Sequence, residues 1–515
     1  MLSEWVRLAD LLAAVSVATD LGMGQEPEKA IRACLVATAL ARRMGTAEAE
    51  VSDVYYTALL RHLGCTATAH EEAYLGGDEL VSRPAAERAD FGNPRETVAL
   101  LLQMGKGTGV DRVRYLARAL RAGKKGDQAI LGGLCEVGAR LAERLGLGPG
   151  VRDGLYQSFE RWDGKGTPQG LATEDICLPA RLAEVAHPAV IFDRLGGPES
   201  AVEVIRRRAR GWFDPAVAEV FVRFGTDILE EIGSRDVWEA VLEVEPAPQR
   251  TTGWEGLDGL ARALADMVDL KSPFLLGHSS EVAALSERAA VALGFGPEAV
   301  IDLRRAALLH DLGRVAVSNR IWEKPAALSI TEWERVRLHP YQSERILARS
   351  RVLEPLARTA GMHHERQDGS GYHRGTSGAQ VPAAARVLAA ADAFQAMTQD
   401  RPHRPRLAPE AASEALAKEA RSGRLDPECV RAVIEAAGQP TTPKVRTAWP
   451  AGLSDREVEV LRLVARGLSN RGVAERLYIS PRTAEHHVQH IYTKIGASTR
   501  AAAAMFAMEH DLLRN

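Results

Sequence analysis

Two long parts of this chain resemble each other, and this internal repeat limits the possible folds more than any other feature. ERWDGKGTPQG at 160–170 aligns with ERQDGSGYHRG at 365–375, at an offset of 205 residues. The same offset aligns PARLAEVAH with the end of AAARVLAAAD at 383–392. Upstream, ALLRHLGC at 58–65 aligns with ALLHDLGR at 307–314 at an offset of 249, so the first copy carries about 44 additional residues between the matching blocks. The repeat predicts two related domains in tandem.

The pattern of apolar residues predicts an all-α protein. Segments such as EVAALSERAAVALG and TAEHHVQHIYTKIG carry apolar residues three and four positions apart, whereas the alternation typical of strands is scarce. Proline and small polar residues interrupt this pattern at 243–253 and 438–452, which we interpret as linkers. They divide the chain into predicted domains at 1–235, 255–440 and 450–515.

The start of the chain predicts neither a membrane span nor a secretion signal. Charged residues at Glu4, Arg7, Asp10 and Asp20 interrupt its apolar residues, so we expect an amphipathic helix and no membrane partner. The five cysteines lack the CxxC spacing of a zinc knuckle, and a cytoplasmic location is expected. The net charge of −3 gives no general indication of nucleic-acid binding, so any affinity for DNA must be local.

Histidine and aspartate residues recur between residues 278 and 392, on segments predicted to be separate helices. They are His278, His310, Asp311, His339, His363, His364 and Asp392. Imidazole and carboxylate ligands together suit divalent iron, manganese or zinc, and a carboxylate can bridge two ions. Two such ions polarise a phosphoryl oxygen and lower the pKa of a bound water. A single histidine is usually a core or surface residue, so the indication of a metal site comes from the whole set.

The blocks GHSSEV, LLHDLGR, LHP, HHERQDGSGY and AAADAF resemble, in order and spacing, the HD-GYP branch of the HD phosphohydrolases, over roughly 255–440. The resemblance implies a metal-dependent phosphodiesterase with two divalent ions, iron or manganese. It implies one ion at His278, His310, Asp311 and Asp392, and another at His339, His363 and His364, with Asp311 between them. It also implies catalytic roles for Asp311 and Arg314, and substrate contacts from Arg314, Arg366 and Tyr372. The implied ligand is a nucleotide or cyclic dinucleotide, with cyclic di-GMP as the leading candidate.

Three positions depart from the family pattern. Gly371-Tyr372-His373 replaces the GYP tripeptide, Arg314 replaces a lysine, and Phe274 stands where some members carry a glutamate. Arginine still binds phosphate through its planar guanidinium, and the missing glutamate favours two ions over three. An alternative therefore stays open, in which the HD domains bind metal, nucleotide or a partner protein without turnover.

The first copy has lost these ligands. The positions that align with the seven predicted ligands hold Lys29, Arg61, His62, Ser158, Phe159 and His187, with no counterpart assigned for His339. Such side chains do not rebuild the same pair of metal sites, so we expect a degenerate, non-catalytic HD-like domain that can still bind a ligand or partner. An unrelated site formed by His62, His70 and His187 is a less favoured alternative.

The segment from residue 453 is expected to form four helices. Ser454 and Glu457 form a capping box, Ser469 or Asn470 starts the next helix, and Ser480 with Pro481 starts the third. A short helix, a tight turn and a longer helix are typical of a helix-turn-helix, whose second helix enters the major groove.

This segment resembles the LuxR-type (GerE-like) DNA-binding domain over about 60 residues. The resemblance implies a recognition helix at 481–495 and double-stranded DNA as a partner. It implies a small core of Val460, Leu461, Val464, Val473, Ala474, Leu477, Val488, Ile491 and Ile495. It implies base or phosphate contacts from Thr483, Glu485, His486, Gln489 and His490, and phosphate contacts from Arg471, Arg482, Lys494 and Arg500.

Domains of this type generally act as dimers, so a homodimer through the closing helix at 499–510 is expected. The alternative is a helical tail for protein interaction. The complete prediction is a transcriptional regulator with two tandem HD-type helical domains followed by a four-helix LuxR-type domain. The alternative for the whole chain is a ligand-sensing transcription factor without catalysis.

Overall fold

Helices form nearly all the regular structure, as the sequence predicts. A computed structural model describes residues 5–104, 128–438 and 449–513. Within these ranges the only paired strands are β1 (Val6–Arg7) and β2 (Thr251–Thr252), which run antiparallel. The chain divides into two compact units, Met1–Gly259 and Leu260–Asn515. None of the described helices has the length and apolar character needed to cross a membrane.

The first unit is a helical bundle in which α2, α3 and α9 pack against one another. Its helices are α1 (Leu8–Gly22), α2 (Lys29–Arg43), α3 (Glu48–Leu60), α4 (Ala69–Gly76), α5 (Glu79–Arg88), α6 (Pro94–Met104), α7 (128–144), α8 (Pro149–Tyr156), α9 (Leu178–Gly196), α10 (Pro198–Arg208), α11 (Pro215–Gly233) and α12 (Val237–Val244). The prediction of an amphipathic first helix is wrong, because every residue of α1 except Leu21 is buried. A helix buried on all sides belongs to the interior of its unit, whereas an amphipathic helix keeps one face in water.

The segment at 243–253, interpreted above as a linker, is attached to the first unit. Glu245 is buried and accepts a hydrogen bond from the hydroxyl of Tyr56 and another from Arg7. The pairing of β1 with β2 holds the following residues in place. Most of the second predicted linker, 439–448, lies outside the described residues.

Helix α13 (Trp254–Asp269) leads into the second unit. The helices that follow are α14 (His278–Ala292), α15 (Pro297–Leu309), α16 (Asn319–Trp322), α17 (Ile330–Arg337), α18 (His339–Leu347), α19 (Glu354–Gly361), α20 (Ala383–Thr398), α21 (Pro409–Arg421), α22 (Pro427–Gly438), α23 (Asp455–Ala465), α24 (Asn470–Leu477), α25 (Pro481–Ile495) and α26 (Arg500–Glu509). Helix α14 packs on α15, α20 and α22, which places the ends of these helices around one centre.

The two copies share helices of equal length at the predicted offsets. Helices α2 and α14 both have 15 residues, α3 and α15 both have 13, and α8 and α19 both have 8. Both α2 and α14 follow a residue in the left-handed conformation, Glu28 with φ 74° and Gly277 with φ 75°. The tandem HD-type fold that the repeat predicts is therefore confirmed.

Two buried carboxylates repeat as well. Asp20 accepts hydrogen bonds from the backbone N–H of Ala30 at the start of α2, and Asp269 accepts one from the backbone N–H of Ser279 at the start of α14. Glu160 likewise accepts hydrogen bonds from the backbone N–H groups at 169–171 in the loop that follows it. Glu365, 205 residues later, accepts hydrogen bonds from backbone N–H groups of its own loop in the same way. The second copy keeps the same scaffold around a different set of central side chains.

The last four helices match the predicted helix-turn-helix. The capping box of Ser454 and Glu457 is present, Ser469 caps α24, and Ser480 caps α25 by accepting from the N–H of Thr483. Helix α25 has the predicted bounds of 481–495. All nine predicted core residues are buried except Leu477, which is half-buried at the end of α24.

Candidate functional site

The structure brings all seven predicted metal ligands together. They lie at the start of α14 (His278), the end of α15 (His310 and Asp311), the start of α18 (His339), the end of α19 (His363 and His364) and within α20 (Asp392). Six are buried, and the side chain of His364 is 15% exposed. Five helices, far apart in sequence, therefore contribute to one buried centre.

The ligand atoms form two groups with Asp311 between them. His278, His310 and Asp311 form one group and His339, His363 and His364 the other, each with its ligand atoms within 4.8 Å of one another. Asp311 Oδ2 lies 3.3 Å from His310 Nε2, and Oδ1 lies 3.5 Å from His339 Nε2. One carboxylate therefore faces both groups of ligand candidates.

Asp392 also faces both groups. Its Oδ1 lies 3.2 Å from His278 Nε2, and its Oδ2 lies 3.7 Å from His364 Nδ1. Sequence comparison with the family implied a role for Asp392 at the first ion alone. In the structure its second oxygen also faces the second group.

Hydrogen bonds hold the imidazoles with one nitrogen toward the centre. The Nδ1 atoms of His310, His339 and His363 each donate to the carbonyl oxygen three residues earlier, at 2.7, 2.6 and 2.6 Å. His278 Nδ1 lies 3.1 Å from Gln395 Oε1. The carbonyl acceptors show that the first three rings carry a proton on Nδ1, and their Nε2 atoms face the centre, as in metal-binding histidines.

The donor atoms at this centre are of the kinds that bind divalent cations. Among the described residues, His278 Nε2, His310 Nε2, His364 Nδ1 and Asp311 Oδ1 are buried and make no hydrogen bond. Buried polar atoms left in this state carry a desolvation cost that a bound cation removes. The residues present can therefore hold the ions implied by the sequence.

The electrostatics of the centre favour the protonation states that bind metal at several of its residues, with His310 as the exception. Burial opposes protonation of His310, but Asp311 outweighs it and raises the pKa of this imidazole to about 10, so an ion that binds there has to displace a proton. Burial lowers the pKa of His339 to about 4, and burial together with the neighbouring His310 holds the pKa of His363 well below its usual value. Burial opposes ionisation of Asp311, but Arg314 outweighs it and holds the carboxyl pKa well below its usual range. Neutral imidazoles and an ionised carboxylate are the forms that coordinate cations.

Of the predicted substrate residues, Tyr372 and Arg366 lie beside the second group, whereas Arg314 contacts Asp311 between the two groups. Arg314 Nε is 2.6 Å from Asp311 Oδ2, and its guanidinium lies 4.4 Å from the centroid of the Trp322 ring. The Tyr372 ring lies 4.7 Å from that of His364. Arg366 donates to the backbone carbonyl of Glu365, so it is held at the edge of the ligand group.

Sequence reasoning missed three residues around the centre. Gln395 orients His278 and lies three positions after Asp392 on α20, a spacing that places both on one face of a helix. Arg401 has its pKa lowered to about 10, chiefly by burial and then by Arg314. Trp322 packs its ring against His339, with centroids 5.4 Å apart. The spacing of Gln395 from Asp392 could have identified Gln395 from the sequence. Arg401 and Trp322 come after loops, and the sequence does not show where these loops place them.

The equivalent region of the first copy holds an internal ion pair. Lys29 Nζ lies 2.7 Å from Glu87 Oε1, and His62 Nε2 lies 3.0 Å from the same oxygen. Helix α5, which belongs to the insertion of the first copy, supplies Glu87. His187 Nε2 lies 2.8 Å from the carbonyl oxygen of Ala58.

In the first copy, the residues that stand at the positions of the metal ligands are therefore bound to other atoms of the protein. Within the described ranges, no group of three residues in the first unit has its ligand atoms close enough to hold an ion, and the suggested set with His70 does not form one. An ammonium group occupies the position that aligns with His278.

Helix α25 exposes the residues predicted to contact DNA. The buried residues of this helix are Ala484, Val488, Ile491 and Ile495. The exposed ones include the predicted contacts Arg482, Thr483, Glu485, His486, Gln489 and His490. On α24, Arg471 is exposed and pairs with Glu475 one turn later. One face of α25 is therefore available to a groove.

Two of the predicted phosphate contacts have partners inside the domain. Lys494 donates to Glu457 at 2.7 Å and to the carbonyl of Gly452 at 3.0 Å. Arg500 donates to the carbonyls of Val464 and Leu468. These bonds connect α25 and α26 to the rest of the domain, so Lys494 and Arg500 are not among the DNA contacts that we propose.

Family models match two parts of the chain. The model described as HD domain matches residues 262–429, and the model described as bacterial regulatory proteins of the luxR family matches residues 451–507. These ranges fall within the predicted second and third domains.

The curated relatives include phosphodiesterases of cyclic dinucleotides. The 3'3'-cGAMP-specific phosphodiesterase 3 of Vibrio cholerae is 31% identical over 437 residues, 83% of this chain and 94% of that protein. A cyclic di-GMP phosphodiesterase of Thermotoga maritima is 38% identical over 162 residues, 31% of this chain and 43% of the relative. A cyclic di-GMP phosphodiesterase response regulator of Xanthomonas campestris is 37% identical over 188 residues, 36% of this chain and 48% of the relative. The chain thus spans less than half the length of the last two.

A crystal structure of a cyclic GMP-AMP-specific phosphodiesterase of V. cholerae has a similar fold. The TM-score is 0.59 at 27% identity, over 85% of this chain and 99% of that one. Matches of this extent necessarily include much of the first unit as well as the HD domain of the second.

Proposed function

Since this chain belongs to the HD-GYP family of HD-domain phosphodiesterases, we propose that its second HD domain hydrolyses a cyclic dinucleotide and that its C-terminal domain binds DNA. One observation supports the catalytic half most directly. The two oxygens of Asp311 face two separate groups of buried imidazoles, so that nitrogen and oxygen ligand types suited to divalent ions meet in one centre.

The two groups would hold one divalent ion each, with Asp311 shared. Ions bound there polarise a phosphoryl oxygen and lower the pKa of a water, which then serves as the nucleophile. Arg314 and Arg366 lie beside the ligand groups and can balance the negative charge of the phosphodiester. Burial raises the pKa of Tyr372, so its hydroxyl keeps its proton and can donate a hydrogen bond to a phosphate oxygen.

The substrate class follows from the relatives. The relative with the longest match is named for 3'3'-cGAMP, and the two shorter matches are named for cyclic di-GMP. Both compounds join two purine nucleosides through two phosphodiester bonds. The tripeptide Gly371-Tyr372-His373 departs from the family pattern at the edge of the site, so both compounds need to be tested.

The test is hydrolysis by the full chain loaded with Mn²⁺ or with Fe²⁺ under exclusion of oxygen. The wild type should cleave at least one of the two dinucleotides, and Asp311→Asn should lose at least 10²-fold in kcat, because it removes the shared anionic ligand. Glu414→Gln, an exposed change on α21 in the same unit, is the control. Stoichiometric metal with no cleavage of either dinucleotide would replace the enzyme proposal with the sensor alternative.

The DNA-binding half rests on the exposed face of α25 and on the family match. Arg482→Ala should weaken binding to any DNA sequence about equally and reduce its salt dependence, as expected for a phosphate contact. Gln489→Ala should instead change the preference between sequences. Equal binding by wild type and both variants would contradict the proposed docking through α25.

Control of DNA binding by the HD domain is the regulatory part of the proposal. A cavity of about 420 Å³ lies between the HD domain and the last four helices, and its lining includes Gln395, Phe274 and Met508. Because Gln395 also contacts His278, a change at the metal centre can reach the wall of this cavity. We expect DNA affinity to differ between the metal-free protein and the protein saturated with metal and dinucleotide. Identical affinities would exclude this coupling.

A homodimer through α26 is also part of the proposal. Residues 502–508 are all buried within one chain, so this helix must first become exposed before it can pair with a second copy.

A further inference from the structure

Aromatic and basic side chains connect the metal-ligand centre with the surface. The Tyr372 ring lies 4.7 Å from the ring of His364. The Trp333 ring lies 6.2 Å from that of Tyr372, in an edge-to-face arrangement. The Arg337 guanidinium lies 5.8 Å from the centroid of Trp333 and 6.0 Å from that of Tyr372. Two ring contacts thus lead from a proposed metal ligand to α17.

Trp333 is not part of the core. Helix α17 has one buried residue, Val336, which packs in a cluster with Val317 and Ile321. Trp333 is 41% exposed, and the side chain of Arg337 is 44% exposed. A partly exposed indole that contacts a ring of the proposed site and has a guanidinium beside it offers a surface on which a planar group can stack.

We propose that Trp333 and Arg337 bind one nucleobase of the cyclic dinucleotide while a phosphodiester group occupies the metal centre, an inference that rests on the proposed function. In a cyclic dinucleotide each base lies one ribose away from a phosphate. A phosphate at the centre beside Tyr372 therefore places a base outside the buried ligand groups, where Trp333 offers an exposed indole. Stacking on an aromatic ring with an adjacent guanidinium is the usual way in which proteins bind unpaired bases.

Arg337 is available for this role. It pairs with Glu334 at 3.2 Å, and both side chains are exposed. An exposed pair of this kind contributes little to stability, so the guanidinium can move over a base at small cost. Because stacking accepts any purine, this surface strengthens binding of both candidate substrates. It favours nucleotides over phosphodiesters that lack a base.

The test compares two substrates in the full chain. Trp333→Ala should lower kcat/KM for the cyclic dinucleotide about 5- to 150-fold, the range expected for the loss of stacking on one base. It should change kcat/KM for bis(p-nitrophenyl) phosphate, which has no nucleobase, by less than about twofold. Trp333→Phe should restore most of the dinucleotide activity. Ile330→Ala, which removes an 85% exposed apolar side chain from the same helix, should behave as wild type.

The outcomes separate this proposal from the proposed function. An unchanged kcat/KM for the dinucleotide in Trp333→Ala overturns the stacking role, and so does an equal loss for both substrates, which indicates a structural effect. If the wild type cleaves only the small diester, the dinucleotide assignment fails. Equilibrium dialysis of the dinucleotide against wild type and Trp333→Ala then decides the stacking role, and equal binding or no binding by either protein rejects it.

Discussion

Lys29→Met tests whether the first copy is stabilised by an internal cation. The Lys29 ammonium is 1% exposed and lies 2.7 Å from Glu87, whose side chain is 12% exposed. Burial raises the cost of ionising Glu87, but Lys29 and His62 together hold its pKa well below the usual range. Replacing Lys29 by methionine keeps the length of the side chain and leaves a buried carboxylate without its main counter-ion.

The expected cost is large for a single substitution. Removal of one partner from a buried ion pair destabilises a protein by about 3–5 kcal/mol. For a unit of this size, each kcal/mol lowers Tm by about 2–4 °C, so the transition of the first unit should fall by roughly 6–20 °C. Differential scanning calorimetry of the full chain at pH 7 measures this shift.

The double variant Lys29→Met with Glu87→Met is the matched control. It removes both charges, and replacement of a buried pair by apolar residues is often neutral or stabilising, so the Tm should recover most of the loss. Hydrolysis by the second copy, assayed below the transition, should not change in either variant. A single variant as stable as wild type would refute the reasoning, because the pair would then contribute nothing to the fold.

Two further predictions concern the second unit. Gln395→Leu should weaken Mn²⁺ binding about 10- to 100-fold, as measured by metal titration, because His278 loses the partner that orients its ring; undiminished affinity would show that Gln395 does not orient the ligand. Desolvation opposes ionisation of Glu457, but Lys494 and the capping box outweigh it and lower the pKa of this carboxyl to about 2. The stability that these contacts provide is therefore present above pH 4.5 and is lost as the pH falls toward 2. Glu457→Gln should therefore lower stability at pH 7 by about 1–2 kcal/mol and reduce the acid sensitivity of the helix-turn-helix transition, which thermal unfolding monitored between pH 7 and pH 3 would detect; an unchanged pH profile would contradict the assigned pairing.

Local sequence was a good guide where structure is decided within a few residues. The capping box at Ser454 and the start of α25 at Pro481 follow from hydrogen bonds and backbone preferences inside one turn of helix. The prediction for α1 was wrong because burial of this helix depends on contacts outside the local sequence. Charged residues at intervals suggest a polar face, but Asp10 is buried in the folded unit, and only packing with the rest of the bundle reveals this.

The candidate site was predictable as a set of residues but not as a geometry. Motif order along the chain identified His278, Asp311 and Asp392 together, because a dimetal centre needs these residue types. Their spacing in sequence does not state that Asp311 divides its oxygens between two groups, or that Asp392 also faces His364. Those facts depend on how α15 and α20 pack.

The amino-acid order alone determined the tandem repeat, the helical class, the set of imidazole and carboxylate side chains at the candidate site and the helix-turn-helix, because each of these is encoded by periodicity, capping or motif spacing. Tertiary structure alone decided that Glu87, from an insertion, pairs with Lys29 in the first copy, and that Trp333 remains exposed beside the second. The physical reason is the same in both cases. Contacts between helices that are distant in sequence arise from packing, and no local pattern specifies which side chains will meet.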